Sequence, residues 1–256
     1  MLELNKGGLN VKNQTVFKRH ELKFLITEEQ CAKLKSFFYE YMTDDQYGKS
    51  VIRNIYFDTP SYLLIRNSID KPIYKEKIRL RSYGETTAET PVFLELKKKF
   101  KGVVYKRRVR LMEKEAMDYI DGKSSLPDSQ ISREIDYFIS YYKELSPKMV
   151  ISYEREAFYS KADETFRITL DRNVLYRYED LHLESGVYGK KILEDGVVLM
   201  EVKTAYALPL WFSAFLSENK IYKTSFSKYG TAYRDVIYPD IKNTNTYKNK
   251  EAIFNA

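Results

Sequence analysis

The chain has 256 residues, 43% hydrophobic and 31% charged, which suffices for one large domain with its own core and is ordinary for a soluble globular protein. Forty-three Lys and Arg against 36 Asp and Glu leave a net charge of +7, a modest bias toward acidic partners such as phosphate compounds, nucleic acid or an anionic membrane surface. The single cysteine, Cys31, excludes an intrachain disulfide, and no run approaches the roughly 18 apolar residues that cross a bilayer, so the expectation is a cytoplasmic protein with no transmembrane segment.

Residues 1–15 are polar, contain Gly7-Gly8, and are expected to be flexible. The folded domain is expected over 16–238, followed by a polar tail over 239–256. Val16 to Ile26 reads as a strand. Thr27-Glu28-Glu29-Gln30 resembles a capping box, and the helix after it should run to about Met42 with Cys31, Leu34, Phe37, Phe38 and Tyr41 as its apolar stripe. Ser50 to Asp58 reads as a second strand, closed by Thr59-Pro60, and Ser61 to Asp70 as a short helix. Three strands follow at 73–83, 91–99 and 103–111, with Lys101-Gly102 as a tight hairpin turn. Glu113 to Gly122 and Asp128 to Leu145 read as helices. Lys148 to Ser160 and Glu164 to Tyr176 read as a long hairpin, 177–195 as irregular, and Val197 to Tyr206 as another strand. Pro209 opens a helix through Asn219, and a last helix is expected at about Ser227 to Ile237.

The strands carry charge on every second residue. Lys75, Lys77, Arg79 and Arg81 share one face of their strand, as do Glu95 and Lys97 of the next. Glu21 and Lys23, Lys106, Arg108 and Arg110, Tyr153 and Arg155, Arg167 and Asp171, and Glu201 and Lys203 repeat the scheme. The opposite faces are apolar and need cover, which the amphipathic helices supply; the charged faces then turn inward. The expected fold is α+β: an eight-stranded antiparallel β-barrel with a polar, basic lumen and helices packed outside. Many cations at close quarters repel, by roughly 4 kcal/mol per pair at 4 Å and an effective dielectric of 20, so an empty lumen is expected to be strained and a polyanion to relieve it. Arginine suits that role because its planar fork binds phosphate oxygens in pairs. His20 is read as a structural residue on the apolar side of its strand. There is no Walker-type loop, no Cys/His cluster with zinc spacing and no Ser/His/Asp arrangement. A generic nucleic-acid binder is not expected, because the cations sit inside alternating strands.

Seven segments occur in a telling order: Arg19-His20-Glu21-Leu22-Lys23-Phe24, Ile78-Arg79-Leu80-Arg81, Phe93-Leu94-Glu95-Leu96-Lys97, Ser152-Tyr153-Glu154-Arg155, Arg167-Ile168-Thr169-Leu170-Asp171, Leu199-Met200-Glu201-Val202-Lys203 and Ser225-Phe226-Ser227-Lys228-Tyr229. The chain resembles the polyphosphate polymerase domain of the vacuolar transporter chaperone (VTC) type, within the triphosphate tunnel metalloenzymes. That resemblance implies a tunnel that binds ATP, triphosphate or polyphosphate with Mn²⁺ or Mg²⁺, and transfer of the γ-phosphoryl of ATP to a growing polyphosphate chain. It implies that Lys23, Arg79, Arg81, Lys97, Lys106, Arg108, Tyr153, Arg155, Arg167, Lys203, Ser227 and Lys228 contact phosphates. Glu201 would bind the metal, and Lys228, Glu201, Arg79 and Arg81 would act at the reacting phosphate. Glu95 and Glu21 stay open between metal ligand and ion-pair partner. Arg19 stands where related tunnel enzymes carry a first Glu, which suits the polymerase branch better. Hydrolysis of inorganic triphosphate or polyphosphate in the same tunnel, or polyphosphate binding without catalysis, are the competing readings. A membrane-bound partner and the oligomeric state stay open.

Overall fold

The alternation in the sequence becomes a single antiparallel sheet in the computed structural model, which describes residues 20–101 and 103–239. Its ten strands are β1 (His20–Thr27), β2 (Met42–Asp58), β3 (Tyr74–Tyr83), β4 (Pro91–Phe100), β5 (Val103–Met112), β6 (Ser146–Ser160), β7 (Arg167–Arg177), β8 (Lys190–Lys191), β9 (Val197–Thr204) and β10 (Lys223–Thr224). Their order across the sheet is β10-β1-β9-β7-β6-β2-β3-β4-β5, with β8 paired to β7. The expected Arg19 position, the 1–15 segment and nearly all of the 239–256 tail lie outside the described residues, as does Gly102 of the expected turn. Phe100 does pair with Val103 across that turn.

The closed eight-stranded barrel is corrected. The sheet is open, with β10 and β5 at its two ends and no ladder joining them among the described residues. β10 offers only two residues for pairing, too few to zip onto the ten-residue β5. The sheet nevertheless curls. Register shifts between Asp44/Lys49, Tyr56/Phe57 and Ser152/Glu154 add twist and bend. As a result Lys97 on β4 reaches Glu21 on β1 at 3.2 Å, although five strands separate them in the sheet order. β2 is longer than expected, because pairing with β6 begins at Met42.

Six α-helices accompany the sheet: α1 (Glu28–Tyr41), α2 (Leu63–Ile69), α3 (Glu113–Ile120), α4 (Gln130–Tyr142), α5 (Leu210–Glu218) and α6 (Lys228–Ala232), the last running into a π-helical turn, Tyr233–Ile237. The capping box forms: Thr27 Oγ1 accepts from Gln30 N at 3.1 Å, and Gln30 Oε1 accepts from Thr27 N at 3.0 Å. On the convex side α1 and α5 bury Cys31, Leu34, Phe212 and Phe215 against Phe24, Ile168, Met200 and Val202. Further along that side α3 and α4 cover Ile78, Leu80, Leu94 and Leu96. A third core forms on the other face. There Ile52, Tyr56, Met149, Ile151 and Tyr153 pack against Ile65 of α2, Tyr229 and Ala232 of α6, and Tyr233 and Ile237 of the turn. The expectation that all helices lie outside is therefore corrected for α6 and for α2, which pack on the concave face because the inward side of β2 and β6 is apolar at these positions. His20 is exposed at the start of β1 rather than packed on an apolar face.

Candidate functional site

The concave face is organised by register. On one rung Arg79 stands opposite Glu95, and Glu95 opposite Arg108. Arg79 donates to Glu95 Oε2 through Nε at 2.9 Å and Nη2 at 2.8 Å, and Arg108 Nε donates to Oε1 at 2.8 Å. Lys106 Nζ lies 2.7 Å from Oε1, and Arg81 Nε lies 3.9 Å from Oε2. Burial alone would raise the Glu95 carboxyl, but the charges of Arg79, Arg81, Lys106 and Arg108 hold it far below the usual carboxylate range. Arg81 also donates to Asn54 Oδ1 at 2.9 Å and the Tyr153 hydroxyl at 3.2 Å, and Arg79 to the Tyr56 hydroxyl at 3.1 Å.

The adjacent rung is all cationic. Lys77 stands opposite Lys97, and Lys97 opposite Lys106; one position further, Lys75 faces Lys99. Lys97 turns to Glu21 and Lys106 to Glu95, but Lys77 has no carboxylate within ion-pair distance among the described residues and donates to Ser227 Oγ at 3.1 Å. Burial, then the charges of Lys23, Lys97, Lys75 and Arg79, push its ammonium down to about 7. Burial also takes Lys106 down to about 7 despite its carboxylate partner. This rung opens onto a cavity of about 510 Å³ whose walls carry Lys23, Lys71, Lys75, Lys77, Lys97, Lys99, Lys223 and Arg234, against only Glu21 and Glu76.

A third group lies on β6, β7, β9 and α6. Arg155 donates to Asp171 through Nε at 2.6 Å and Nη2 at 2.7 Å, and Lys228 donates to the same carboxylate. Burial would raise Asp171, but Lys228 and Arg155 lower it. The Lys228 ammonium sits 4.2 Å from the centre of the Tyr153 ring. Burial would raise the Tyr153 phenol, yet Arg155, Arg81 and Lys228 together bring it down to about 8. Glu201 pairs with Lys203 at 3.2 Å and approaches Lys23 at 3.9 Å. Burial would raise its carboxyl, and the charges of Lys203, Lys23, Arg155 and Lys228 hold it well below the ordinary value instead. Lys23 also pairs with Glu21 at 3.3 Å and donates to the Phe226 carbonyl at 2.9 Å. Ser227 caps α6, its Oγ accepting from Gly230 N at 3.2 Å.

The residues singled out in the sequence thus fall into two sets. Lys23, Lys97, Ser227 and Glu21 line the cavity. Arg79, Arg81, Lys106, Arg108, Tyr153, Arg155, Glu201, Lys203, Glu95 and Lys228 are not among its lining residues and form ion-paired walls of the same concave face. Arg167 is engaged elsewhere, donating to Asp45 Oδ2 at 2.9 Å with its guanidinium over the Tyr159 ring at 4.6 Å. The expectation of a lumen strained by uncompensated cations holds around Lys77 and around Lys75, whose ammonium burial and the charges of Lys99, Lys71, Lys23 and Lys97 push down; Glu95, Asp171, Glu201 and Glu21 offset the cations of the ion-paired walls. Lys75, Lys77 and Lys99 share the alternation and were legible as a face, but not as cavity lining. Lys71, Lys223, Ser225 and Arg234 come from turns, a two-residue strand and the π-helical turn, where no periodic pattern marks them.

Among the described residues no cluster of three or more His, Cys, Asp or Glu forms a ready-made metal cage. Glu201 and Glu21 do influence one another through space, and both flank Lys23. Two neighbouring carboxylates fit a hard divalent cation that completes its shell with phosphate oxygens and water. Glu95 fits less well, because three guanidinium groups and Lys106 crowd its two oxygens, against two lysines each at Glu21 and Glu201.

Solved structures with a similar fold include a candidate adenylate cyclase from Bacillus halodurans, with a TM-score of 0.51 at 15% identity, covering 84% of this chain and 96% of that one. Another is a candidate adenylyl cyclase from Hippeastrum described as having a dominant triphosphatase activity, with a TM-score of 0.51 at 17% identity, covering 84% and 94%. At such identities the likeness is one of fold. Comparison with curated protein sequences gave no match. The model of the VTC domain matches residues 18–237, a span that runs from the first paired strand through Ser227 and Lys228 and takes in every wall of the concave face, so the chain belongs to the VTC domain family.

Proposed function

We propose that the chain transfers the γ-phosphoryl group of ATP to a growing inorganic polyphosphate held against the concave face. The observation that carries this reading is the pairing of a lysine-lined cavity with adjoining arginine walls already fixed by carboxylates. Phosphoryl transfer asks little covalent help from a protein; it needs alignment and neutralised charge. In the proposed step a terminal oxygen of the polyphosphate attacks the γ-phosphorus. The bond from that phosphorus to the β,γ-bridging oxygen breaks, and ADP leaves. The nucleophile is already ionised, so no general base is required. Lys23, Lys77 and Lys97 would gather the incoming phosphates, and Arg79, Arg81, Arg155 and Lys228 would face the charge that develops on transfer. Mn²⁺ or Mg²⁺, held by Glu201 and Glu21, would supply further neutralisation at phosphate oxygens.

A second reading, hydrolysis of inorganic triphosphate, is favoured by the activity described for the Hippeastrum neighbour. A third, polyphosphate binding without turnover, needs only the lysines. Purified protein incubated with ATP and Mn²⁺, with products resolved on a polyphosphate gel, separates the three. A ladder supports the polymerase. Phosphate released from tripolyphosphate with no ladder supports the hydrolase. Tight binding with neither product supports the binder. No helix among the described residues is long and apolar enough to cross a membrane; a membrane-bound partner for the product is a separate proposal.

A further inference from the structure

Asp58 ends β2, is wholly buried, and has no part in the chemistry above. Among the described residues no cation lies within ion-pair distance of it; all its partners are N–H and O–H donors. Thr59 N at 2.9 Å and Leu64 N at 2.8 Å donate to Oδ1. Ile65 N at 3.0 Å and the Tyr229 hydroxyl at 3.1 Å donate to Oδ2. The first three tie down the turn into α2. The fourth belongs to α6, 171 residues further along the chain. Burying an unpaired carboxylate is costly, and a neutral cap would serve α2 about as well. What the second oxygen adds is the reach to α6.

Tyr229 follows Lys228 directly. Its ring stacks on Tyr56 with centroids 4.8 Å apart, and the Tyr56 hydroxyl accepts from Arg79 Nη1 at 3.1 Å. Gly230 leaves room for the Ser227 cap, since a Cβ there would stand 3.2 Å from Ser227 Oγ, and it lies at ordinary contact distance from Ile65 of α2. α6 has five residues, too few to hold a helical shape unaided, so its position is set by such contacts.

We propose that Asp58 is a positioning residue. Through Tyr229 it fixes α6, and with it Lys228 and Ser227, on the concave face; through the Tyr229–Tyr56 stack it fixes Arg79. Its effect on turnover rests on the phosphoryl-transfer reading, whereas its effect on where Lys228 sits does not. Tyr229→Phe keeps the ring and removes only the hydroxyl, and is the test least open to misfolding. With ATP and Mn²⁺ it should lower kcat by about tenfold to a hundredfold and leave KM for ATP within about twofold, because the cavity lysines stay in place. In parallel, Lys228 in Tyr229→Phe should be acylated by a lysine-reactive ester severalfold faster than in wild type, read by mass spectrometry, with surface Lys33 unchanged. Asp58→Asn should act in the same direction, and the double variant should be no slower than Asp58→Asn alone. Unchanged Lys228 labelling overturns the proposal whatever the activity. In an active wild type, an unchanged kcat, or a matching rise in KM, overturns it too. If wild type makes no product from ATP, the phosphoryl-transfer reading fails and the labelling alone decides the positioning role.

Discussion

Two neighbouring rungs of one sheet use the same chemistry to different ends. Arg79–Glu95–Arg108 alternates sign across three strands, and every charge on it is satisfied before any ligand arrives. Lys77–Lys97–Lys106, one step along, is cationic throughout, and Lys77 is left with a serine hydroxyl. The first rung is scaffold and potential combined: a buried carboxylate holds guanidinium groups in one geometry. The second offers positive charge in excess, made of flexible point charges that can follow an anion.

The contrast breaks most sharply at Glu95. Glu95→Gln removes the one buried anion among four cations and should cost about 3–5 kcal/mol of stability, read as a lower urea midpoint. A variant as stable as wild type would mean that this rung holds nothing together. Glu201→Gln should cut turnover about a hundredfold and also lower the melting temperature, by less than Glu95→Gln does, since it leaves Lys203 and Lys23 without that carboxylate; full activity would remove Glu201 from the mechanism. Lys77→Met sharpens the comparison from the other side. It should weaken tripolyphosphate binding by about tenfold, measured calorimetrically, and at pH 6 leave stability equal or higher, since a crowded cation is lost.

The smallest effect is a pH slope. Lys77 and Lys106 each hold their proton only up to about 7 when folded, against 10.5 as the ordinary value. Between those limits the unfolded chain binds more protons, so their contribution to stability rises with pH from about 7 toward 10. Tripolyphosphate prefers the ammonium forms, so its affinity should fall over the same window. Urea titrations and calorimetry at pH 6, 7, 8 and 9 test both trends, and Lys77→Met should flatten both.

The faces of the strands were legible in the sequence because side chains alternate with period 2, so Arg79, Glu95, Arg155, Asp171 and Glu201 could be placed on one side without coordinates. Which of them meet was not legible, because cross-strand partners depend on register; nothing in the sequence pairs Glu95 with four cations or brings Lys228 to Asp171. The open edge of the sheet is not legible for a related reason: pairing at its ends turns on the two-residue β10, which has no periodic signature. α6 was expected outside because helices usually cover apolar faces from solvent, and here the apolar patch of Ile52, Met149 and Ile151 lies on the inward side. Asp58 carries no distinguishing signal in the sequence, because a lone Asp before Thr-Pro reads as an ordinary turn residue.

The Glu21–Lys97 contact gives the open sheet a seam. Where a closed cylinder would have backbone rungs, the gap between β1 and β4 is bridged here by an ammonium and a carboxylate 3.2 Å apart. Such a clasp yields to dissolved ions more readily than a backbone ladder does, since a partly exposed ion pair is worth about 1 kcal/mol or less and loses part of that to salt and to competing anions. The width of the cradle is therefore expected to respond to ionic strength and to any anion that competes for Lys97.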